Sequence, residues 1–263
     1  MIGNHLPQYL RQPLADDDKY SRGVVGFITG SLEFPGAAIL GVTAAMRTGI
    51  GMVRYLGPRE VGELLIQTRP EAVLVDGRAQ AWVFGSGVAV ASADKALMQS
   101  HFEAADLSVV DAGALEVLDL RSRTGLAVLT PHAGELARLI GVTKDEVLAN
   151  PENNATLAAV ATDCVVLLKG HSSYIAAPDG EIREIENLSS ALATAGTGDV
   201  LAGILGALLA ANHDDAMQNA FLDIVELGVR LHSAAAKLAS QSGPVVALDV
   251  AEAVRDVIGN ISS

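Results

Sequence analysis

The amino-acid sequence predicts an α/β domain whose central sheet is mainly parallel. Six short apolar runs alternate with stretches of helical periodicity, which is typical of such domains. The runs show little polar–apolar alternation, and this indicates strands that are covered on both faces. The chain has 263 residues, of which 50% are apolar and 19% are charged, so it can bury a sizeable core.

The predicted strands are short, several are rich in Val, Ile or Leu, and most end at Gly, Pro or Asp. They span residues 24–29, 52–56, 82–84, 107–110, 126–130 and 164–168. Helical patterns occupy residues 36–48, 91–101, 135–140, 152–161, 198–211 and 214–240. The turn sequence PDG at residues 178–180 separates segments 173–177 and 181–186, which predicts a β-hairpin.

Composition and charge exclude several classes of function. Acidic residues number 31 against 18 basic ones, and the resulting net charge of −13 disfavours binding to nucleic acid or to a membrane surface. The longest apolar stretch, residues 200–211, is too short to cross a bilayer. Cys164 is the single cysteine, so no internal disulfide is expected, and its apolar strand predicts a buried, inert thiol.

No linker or repeat divides the sequence, so we expect a polar N-terminal tail over residues 1–18 and one domain over residues 19–263. The N-terminal residues lack a basic stretch followed by an apolar run, and we therefore expect no signal peptide and a cytoplasmic location. The sequence contains no Walker A motif, no complete G-x-G-x-x-G, no H-E-x-x-H and no G-x-S-x-G. Their absence disfavours P-loop ATPases, standard dinucleotide oxidoreductases, zincins and α/β-hydrolases.

The strongest local signal is LATAGTGDVLAG at residues 192–203. Glycines ahead of an apolar helix let backbone N–H groups converge on an anion, at a helix end that carries about half a positive charge. Asp199 would repel a phosphate, but it can take a proton from a hydroxyl that attacks a phosphoryl group. The alternative is a plain helix start, in which Asp199 complements the helix dipole.

Two further segments follow predicted strands. In TPHAGE at residues 130–135, Glu135 can orient a metal-bound water near phosphates and His132 can contact a ligand. In LKGHSS at residues 168–173, Lys169 can pair with a nucleotide phosphate. The alternatives are a first-turn glutamate that complements the helix dipole, a structural histidine and a solvated lysine.

Two other strand ends carry weaker signals. The sequence GSG at residues 85–87 allows a close approach between backbone and ligand, although the pattern alone favours a plain turn. Asp111 ends another strand, where a lone carboxylate is most often structural.

Taken together and in order, these motifs resemble the ADP/ATP-dependent NAD(P)H-hydrate dehydratases of the ribokinase-like superfamily. GTGD at residues 196–199 is similar to the superfamily's G-[TS]-G-D anion-hole motif. The other matching blocks are KYSRG at 19–23, GS at 30–31, PGAA at 35–38, RTGIG at 47–51, TPHAGE at 130–135, LKG at 168–170 and residues 192–203. The resemblance extends from about residue 19 to residue 249.

The resemblance implies a ribokinase-like, three-layer α/β/α fold and the repair of the hydrated cofactors NADHX and NADPHX to NADH and NADPH. In this family the 6-hydroxyl of the hydrate is phosphorylated and phosphate then leaves. Bacterial members use ADP and release AMP and phosphate, whereas eukaryotic members use ATP. We therefore expect an ADP-dependent (S)-NAD(P)H-hydrate dehydratase, a hydro-lyase, with Mg²⁺ on the phosphates.

The resemblance also implies a role for individual residues. Asp199 would accept the proton of the hydrate hydroxyl, and Glu135 would lie near the metal, through a water. The implied anion hole consists of Gly196, Thr197 and Gly198. The implied nucleotide site consists of Lys169, Gly170, His171, Ser172, Ser173 and Gly198. The implied contacts to NAD(P)HX are Ala37 or Ala38, Gly87, His132 and Asp199.

Two alternative functions would use the same residues. One is an ATP-dependent kinase of a small sugar-like or vitamin-precursor alcohol, and the other is a non-enzymatic nucleotide-binding protein. The TPHAGE and PGAA blocks favour the dehydratase over the kinase, and Asp199 argues against a non-enzymatic role. The resemblance further implies a homotetramer. The family's fusion proteins carry an N-terminal epimerase domain that is not expected in this sequence, so we expect dehydratase activity on the S epimer, and the sequence leaves open whether a separate NAD(P)HX epimerase is a partner. The sequence leaves open the preference between ADP and ATP and between NADHX and NADPHX.

Overall fold

A single sheet forms the centre of the molecule in the computed structural model, which describes residues 6–91, 93–186 and 189–262. The strands in these ranges are Val24–Ile28 (β1), Met52–Tyr55 (β2), Ala81–Phe84 (β3), Leu107–Val110 (β4), Leu126–Leu129 (β5), Val165–Leu168 (β6), Ser173–Ala176 (β7) and Ile182–Ile185 (β8). Their order in the sheet is β2-β1-β3-β4-β5-β6-β7-β8. Pairing from β2 through β6 is parallel, and β6, β7 and β8 pair antiparallel.

Helices cover both faces of this sheet. Within the described ranges they are Pro35–Arg47 (α1), Arg59–Thr68 (α2), Lys95–Ala104 (α3), Ala114–Val117 (α4), Ala133–Ile140 (α5), Lys144–Ala149 (α6), Pro151–Thr162 (α7), Thr197–Ala211 (α8), His213–Asp215 (α9), Phe221–Ala239 (α10) and Ala247–Ser262 (α11). The core on one face joins α1, α2, α8, α10 and α11, and the core on the other joins α3 to α7. The result is the three-layer α/β/α arrangement that the sequence predicted.

The central strands contribute side chains to both cores. In β3, Ala81 and Val83 pack in one core, while Trp82 and Phe84 pack in the other. Side chains of a strand alternate between the two faces, so a strand that is covered on both faces is apolar at every position. This explains why the strand sequences show no polar–apolar alternation.

Helices α1 and α8 cross at two glycines, and this crossing positions the residues at the start of α8. A Cβ on Gly203 would lie 2.1 Å from the carbonyl oxygen of Gly41, which is closer than atoms can approach. A Cβ on Gly41 would in turn lie 3.3 Å from the carbonyl oxygen of Asp199. The close contact of the two backbones therefore holds the first turn of α8 against α1.

The structure confirms the six predicted parallel strands, with differences of at most one residue at any end, and it confirms the hairpin. The helix predicted over residues 91–101 includes Ser92, which lies outside the described residues. This helix begins instead at Lys95 because the Asp94 carboxylate accepts a hydrogen bond from the Leu97 N–H at 3.0 Å and caps it. Cys164 is buried as predicted, and burial raises the pKa of its thiol.

Other elements differ from the sequence prediction. The helix expected over residues 214–240 is interrupted, because α9 is followed by a π-helical turn at Ala216–Ala220 before α10 begins. Helices α2, α4, α6 and α11 lie outside the predicted helical segments. In α2 the buried positions are Val61, Gly62 and Leu65 alone, so the segment does not stand out as an apolar run.

Part of the predicted N-terminal tail is packed. Residues 1–5 lie outside the described residues, but Leu6–Tyr9 forms a 3-10 turn, and Leu6 is fully buried in the core beside α10. Arg11 donates to the side-chain oxygen of Asn212 at 2.9 Å, and Asn212 donates to the Tyr9 carbonyl at 3.0 Å. The apolar Leu6 and these hydrogen bonds attach the segment to the domain, and the expectation of a free tail is wrong for this part of it. Among the described residues, no helix has the length and apolar character needed to cross a membrane.

Candidate active site

Side chains from four neighbouring strand ends meet at the carboxyl edge of the sheet. Ser86 follows β3, Asp111 follows β4, Thr130 follows β5 and Lys169 follows β6. The Lys169 ammonium donates to Asp111 Oδ1 at 2.8 Å. The hydroxyls of Thr130 and Ser86 donate to Oδ1 and Oδ2 of the same carboxylate at 2.7 and 2.9 Å. Asp111 is only 2% exposed, so the arrangement is a buried ion pair whose carboxylate is held from several sides.

Both members of this pair stay charged. Burial opposes ionisation of Asp111, but the Lys169 charge and the hydrogen bonds from Lys169, Thr130 and Ser86 hold its pKa below the ordinary value. Burial likewise opposes the charge of Lys169, but the negative charges of Asp111, Glu135 and Asp199 raise its pKa. Lys169 is therefore a fixed positive charge with carboxylates around it.

The N-terminus of α8 approaches this lysine. Gly196 has the left-handed φ of +90°, and α8 begins directly after it with no side-chain cap. The Thr197 hydroxyl donates to the carbonyls of Leu192 and Thr194 at 2.8 and 3.0 Å. The Thr197 side chain therefore stabilises the preceding turn. The groups at the start of α8 that remain available to an anion are its backbone N–H groups. A Cβ on Gly198 would lie 3.4 Å from Lys169 Nζ, so the N-terminus of α8 lies next to the ammonium group.

Asp199 lies in the first turn of α8 and is half-buried. Burial raises the pKa of its carboxyl to about 7; the Asp111 charge adds to this and the Lys169 charge opposes it. Among the described residues, none donates a hydrogen bond to its carboxylate. A carboxylate with a pKa near neutrality is suited to accept a proton in a reaction at neutral pH.

His132 and Glu135 form a capping box at the start of α5. The His132 Nδ1 accepts from the N–H groups of Gly134 and Glu135, and Glu135 Oε2 accepts from the His132 N–H at 2.8 Å. The structural roles that the sequence left open for these two residues are thus present. The backbone N–H of Lys169 donates to the Pro131 carbonyl at 2.9 Å, which places the loop after β5 beside the loop after β6.

The nucleotide-site residues implied by the resemblance line one cavity of about 520 Å³. Lys169, Gly170, His171, Ser173 and Gly198 border it, together with His132 and Thr197. Ser172 belongs to the same loop without being part of the cavity wall. The structure therefore brings together, from β6 and α8, segments that lie about 30 residues apart in the sequence.

Of the residues implied for NAD(P)HX contact, His132 borders the cavity just described and Asp199 lies in α8, whereas Gly87 and Ala37 form a second group. A Cβ on Gly87, whose φ is +66°, would lie 2.4 Å from the Ala37 Cβ, so these two positions adjoin. Ala38 is fully buried in the core and offers no surface to a ligand. Ala37 is therefore the alanine that remains a candidate. Gly87 follows Ser86, whose bond to Asp111 connects this group to the ion pair.

Sequence reasoning missed two features of the site. It treated Asp111 as a lone carboxylate, and it did not single out Ser86 and Thr130 as its partners. Their positions in the sequence could have indicated this contact, since all three residues directly follow parallel strands and therefore lie at one edge of the sheet. The second feature is His232 of α10, which reaches the cavity from a helix with no motif of its own.

Comparison with known proteins decides the family. The profile of the NAD(P)H-hydrate dehydratase family matches residues 25–256, which is most of the chain. The chain belongs to the NAD(P)H-hydrate dehydratase family. The bifunctional NAD(P)H-hydrate repair enzyme Nnr of Corynebacterium glutamicum is 38% identical over 231 residues, covering 81% of this chain. This chain spans only 40% of the length of that relative.

Other members of the NAD(P)H-hydrate dehydratase family match over most of their length. The ADP-dependent (S)-NAD(P)H-hydrate dehydratase of Xanthomonas campestris is 34% identical over 256 residues, covering 89% of this chain and 86% of that protein. The ADP/ATP-dependent enzyme of Bacillus subtilis, co-crystallised with ATP/Mg²⁺, superimposes with a TM-score of 0.85 at 27% identity and covers 98% and 96% of the two chains. A ribokinase-like superfamily protein of Enterococcus faecalis superimposes with a TM-score of 0.80 at 21% identity, covering 97% of this chain and 94% of that protein. This likeness shows the fold.

Proposed function

We propose that this protein is an ADP-dependent (S)-NAD(P)H-hydrate dehydratase that converts NADHX and NADPHX to NADH and NADPH. The observation that carries the proposal is the position of Asp199, whose carboxyl has its pKa raised to about 7, in the first turn of a helix whose N-terminus adjoins Lys169. A proton acceptor and a phosphate-binding helix end thereby lie together. Family membership supplies the substrate.

In the proposed reaction, the 6-hydroxyl of the hydrate attacks the terminal phosphoryl group of ADP. The hydroxyl proton passes to Asp199, the new O–P bond forms, and the bond from that phosphorus to the oxygen of AMP breaks. Phosphate then leaves carbon 6 while carbon 5 loses a proton, and the double bond between them restores NADH. Backbone N–H groups at Gly196–Gly198 would stabilise the charge on the transferring group.

Magnesium fits this site only together with the nucleotide. Asp111, Glu135 and Asp199 surround Lys169 closely enough to raise its pKa, and carboxylate oxygens are ligands that Mg²⁺ accepts. Among the described residues, however, no group of three or more His, Cys, Asp or Glu side chains is arranged to hold a metal alone. We therefore propose that phosphate oxygens supply most ligands and that Glu135 acts through water. The ion would offset phosphate charge.

The remaining parts of the proposal follow from the family. We propose that residues 19–263 form the catalytic domain, that the protein is a cytoplasmic homotetramer, and that it acts on the S epimer of the hydrate. Substrate contacts are assigned to Ala37, Gly87 and His132, and nucleotide contacts to the cavity that Lys169 and Gly198 border.

The proposal is tested by incubating purified protein with NADHX, Mg²⁺ and either ADP or ATP while absorbance at 340 nm is followed. We expect a nucleotide-dependent rise, and the better nucleotide identifies the donor. The matched variant is Asp199→Asn, which removes the proton acceptor with little change in shape. We expect its kcat to fall by roughly 10²–10⁴-fold with ADP binding retained.

Two results would contradict the dehydratase assignment. A stable phosphorylated product without a rise at 340 nm would identify a kinase of a small alcohol, which would use the same anion site. Unchanged turnover in Asp199→Asn would exclude that carboxylate as the proton acceptor.

A further inference from the structure

The cavity beside Lys169 has two chemically different walls. Lys169 and Gly198 border it on one side, where an ammonium and a helix N-terminus meet. Leu192, Leu201 and Val229 border it elsewhere with apolar side chains. A nucleotide has the same division, because its phosphates are anionic and its nucleoside is largely apolar with a few hydrogen-bonding groups.

His232 is a further polar residue in the lining of this cavity. It lies on α10, one turn beyond Val229, and is 5% exposed. Its Nε2 is buried and has no hydrogen-bond partner among the described residues. Burial and the Lys169 charge lower the pKa of the imidazole to about 3, although a hydrogen bond with the Thr197 backbone opposes this shift. The ring is therefore neutral at physiological pH.

A buried polar nitrogen without a partner costs free energy, and native proteins contain few such atoms. One that borders a ligand cavity is explained when the ligand supplies the partner. We propose that His232 Nε2 hydrogen-bonds the nucleoside part of the bound nucleotide, either the base or a ribose hydroxyl. The inference rests on the proposed nucleotide site, and it adds a binding residue that none of the sequence motifs contains.

Two observations favour the nucleoside over the phosphates. The apolar Val229 and Leu201 line the same cavity as His232, although the hydrogen bond with the Thr197 backbone also keeps the ring near the start of α8, where the phosphates are expected. A neutral imidazole also adds little to the binding of a polyanion, for which charged partners and helix ends are the stronger ligands.

His232→Leu separates a binding role from a structural one. In the free protein the substitution removes the unpartnered Nε2 and also the hydrogen bond with the Thr197 backbone, so we expect a slightly lower melting temperature whatever the role of Nε2. In the complex it removes one further hydrogen bond, so we expect the Kd for ADP to rise roughly 3- to 10-fold. A purely structural histidine would leave the affinity for ADP unchanged.

The experiment is calorimetric titration of ADP into wild type, His232→Leu, His232→Gln and a matched control. The control is His101→Leu, which makes the same substitution at a histidine that packs on Trp82, away from the cavity. We expect the control to bind ADP as wild type does, and His232→Gln to recover part of the affinity through its amide. Displacement of ADP by inorganic pyrophosphate then measures the phosphate part separately, and we expect this affinity to be unchanged in His232→Leu.

The outcomes distinguish the two proposals. If wild type binds no ADP, the proposed nucleotide site itself fails. If wild type binds ADP and His232→Leu binds it equally well, only the role of His232 is overturned. Equal losses for ADP and pyrophosphate would place the imidazole at the phosphates and would also overturn the assignment.

Discussion

At the scale of single residues, the site is a set of coupled charges. Asp111 and Lys169 form a buried ion pair, and their two charges shift the pKa of Asp199 in opposite directions. Asp111 raises the pKa of Asp199 and Lys169 lowers it, while burial contributes most. The pKa of Asp199, the proposed proton acceptor, is therefore adjusted by an ion pair that need not itself contact the reacting hydroxyl.

This coupling predicts a pH profile. Asp199 must be ionised before it can accept a proton, so we expect kcat to rise with pH through an inflection near 7. Asp111→Asn removes the negative charge that raises this pKa, so we expect the inflection to move to lower pH by roughly one unit. The measurement is kcat from about pH 5 to 9 for both proteins.

A control separates charge from hydrogen bonding in that experiment. Thr130→Val removes the hydroxyl that donates to Asp111 but leaves the carboxylate charge in place. We expect its inflection to stay near that of wild type. An unchanged inflection in Asp111→Asn would show that Asp199 is not the group whose ionisation limits the reaction.

At the scale of elements, the start of α5 serves two purposes. His132 and Glu135 cap the helix through their side chains, and Glu135 also contributes to the field at Lys169. A capping residue lies at a helix start because it satisfies the free backbone N–H groups there. In a parallel sheet, the helix starts that follow strands also lie at the edge where ligands bind. The structural and functional interpretations of TPHAGE are therefore compatible.

The crossing of α1 and α8 gives a prediction about stability. Gly203→Ala would place a methyl group 2.1 Å from the Gly41 carbonyl oxygen, so the helices must move apart. We expect the free energy of unfolding to fall by about 1–3 kcal/mol, measured by urea denaturation. Activity should fall as well, because α8 carries Asp199.

Gly259→Ala is the matched control for this substitution. Gly259 is an exposed glycine of α11, and a Cβ there meets no atom within 4 Å. Alanine is the better helix former, so we expect a gain of up to about 1 kcal/mol. Equal effects of the two substitutions would show that close packing at Gly203 does not determine the crossing.

At the scale of the whole molecule, an acidic body surrounds a site for anions. The net charge is −13, whereas Lys169 and the N-terminus of α8 form a local positive region. Exposed charges more than about 8 Å away are largely screened at physiological salt. We therefore expect nucleotide binding to be governed by groups inside the proposed site and by the metal, rather than by the surface.

Salt and metal dependence follow from this arrangement. We expect the KM for ADP to change by less than about twofold between roughly 50 and 300 mM KCl, because the relevant charges are partly buried. We expect activity to disappear with excess EDTA and to return with Mg²⁺. A steep rise of KM with salt, or full activity in EDTA, would contradict this interpretation of the site.

Much of the fold could be predicted because each parallel strand is a local apolar run. The strands, the hairpin and the glycine-rich start of α8 follow from patterns that span fewer than about 20 residues. Amphipathic helices such as α2 were missed because their apolar residues occupy one face only. The π-helical turn before α10 was missed because it depends on packing around Ala216–Ala220 rather than on any local breaker.

The sequence by itself determined the fold class, the family resemblance and the segments that reach the ligand edge, since these depend on order and periodicity along the chain. Only the tertiary structure decided which side chains meet. The pairing of Asp111 with Lys169 joins the residues that directly follow β4 and β6, two strands that β5 separates in the sheet. His232 reaches the cavity from α10, and Ala38 is withdrawn into the core. These outcomes depend on strand order, register and helix crossing, and burial then determines the pKa of Asp199.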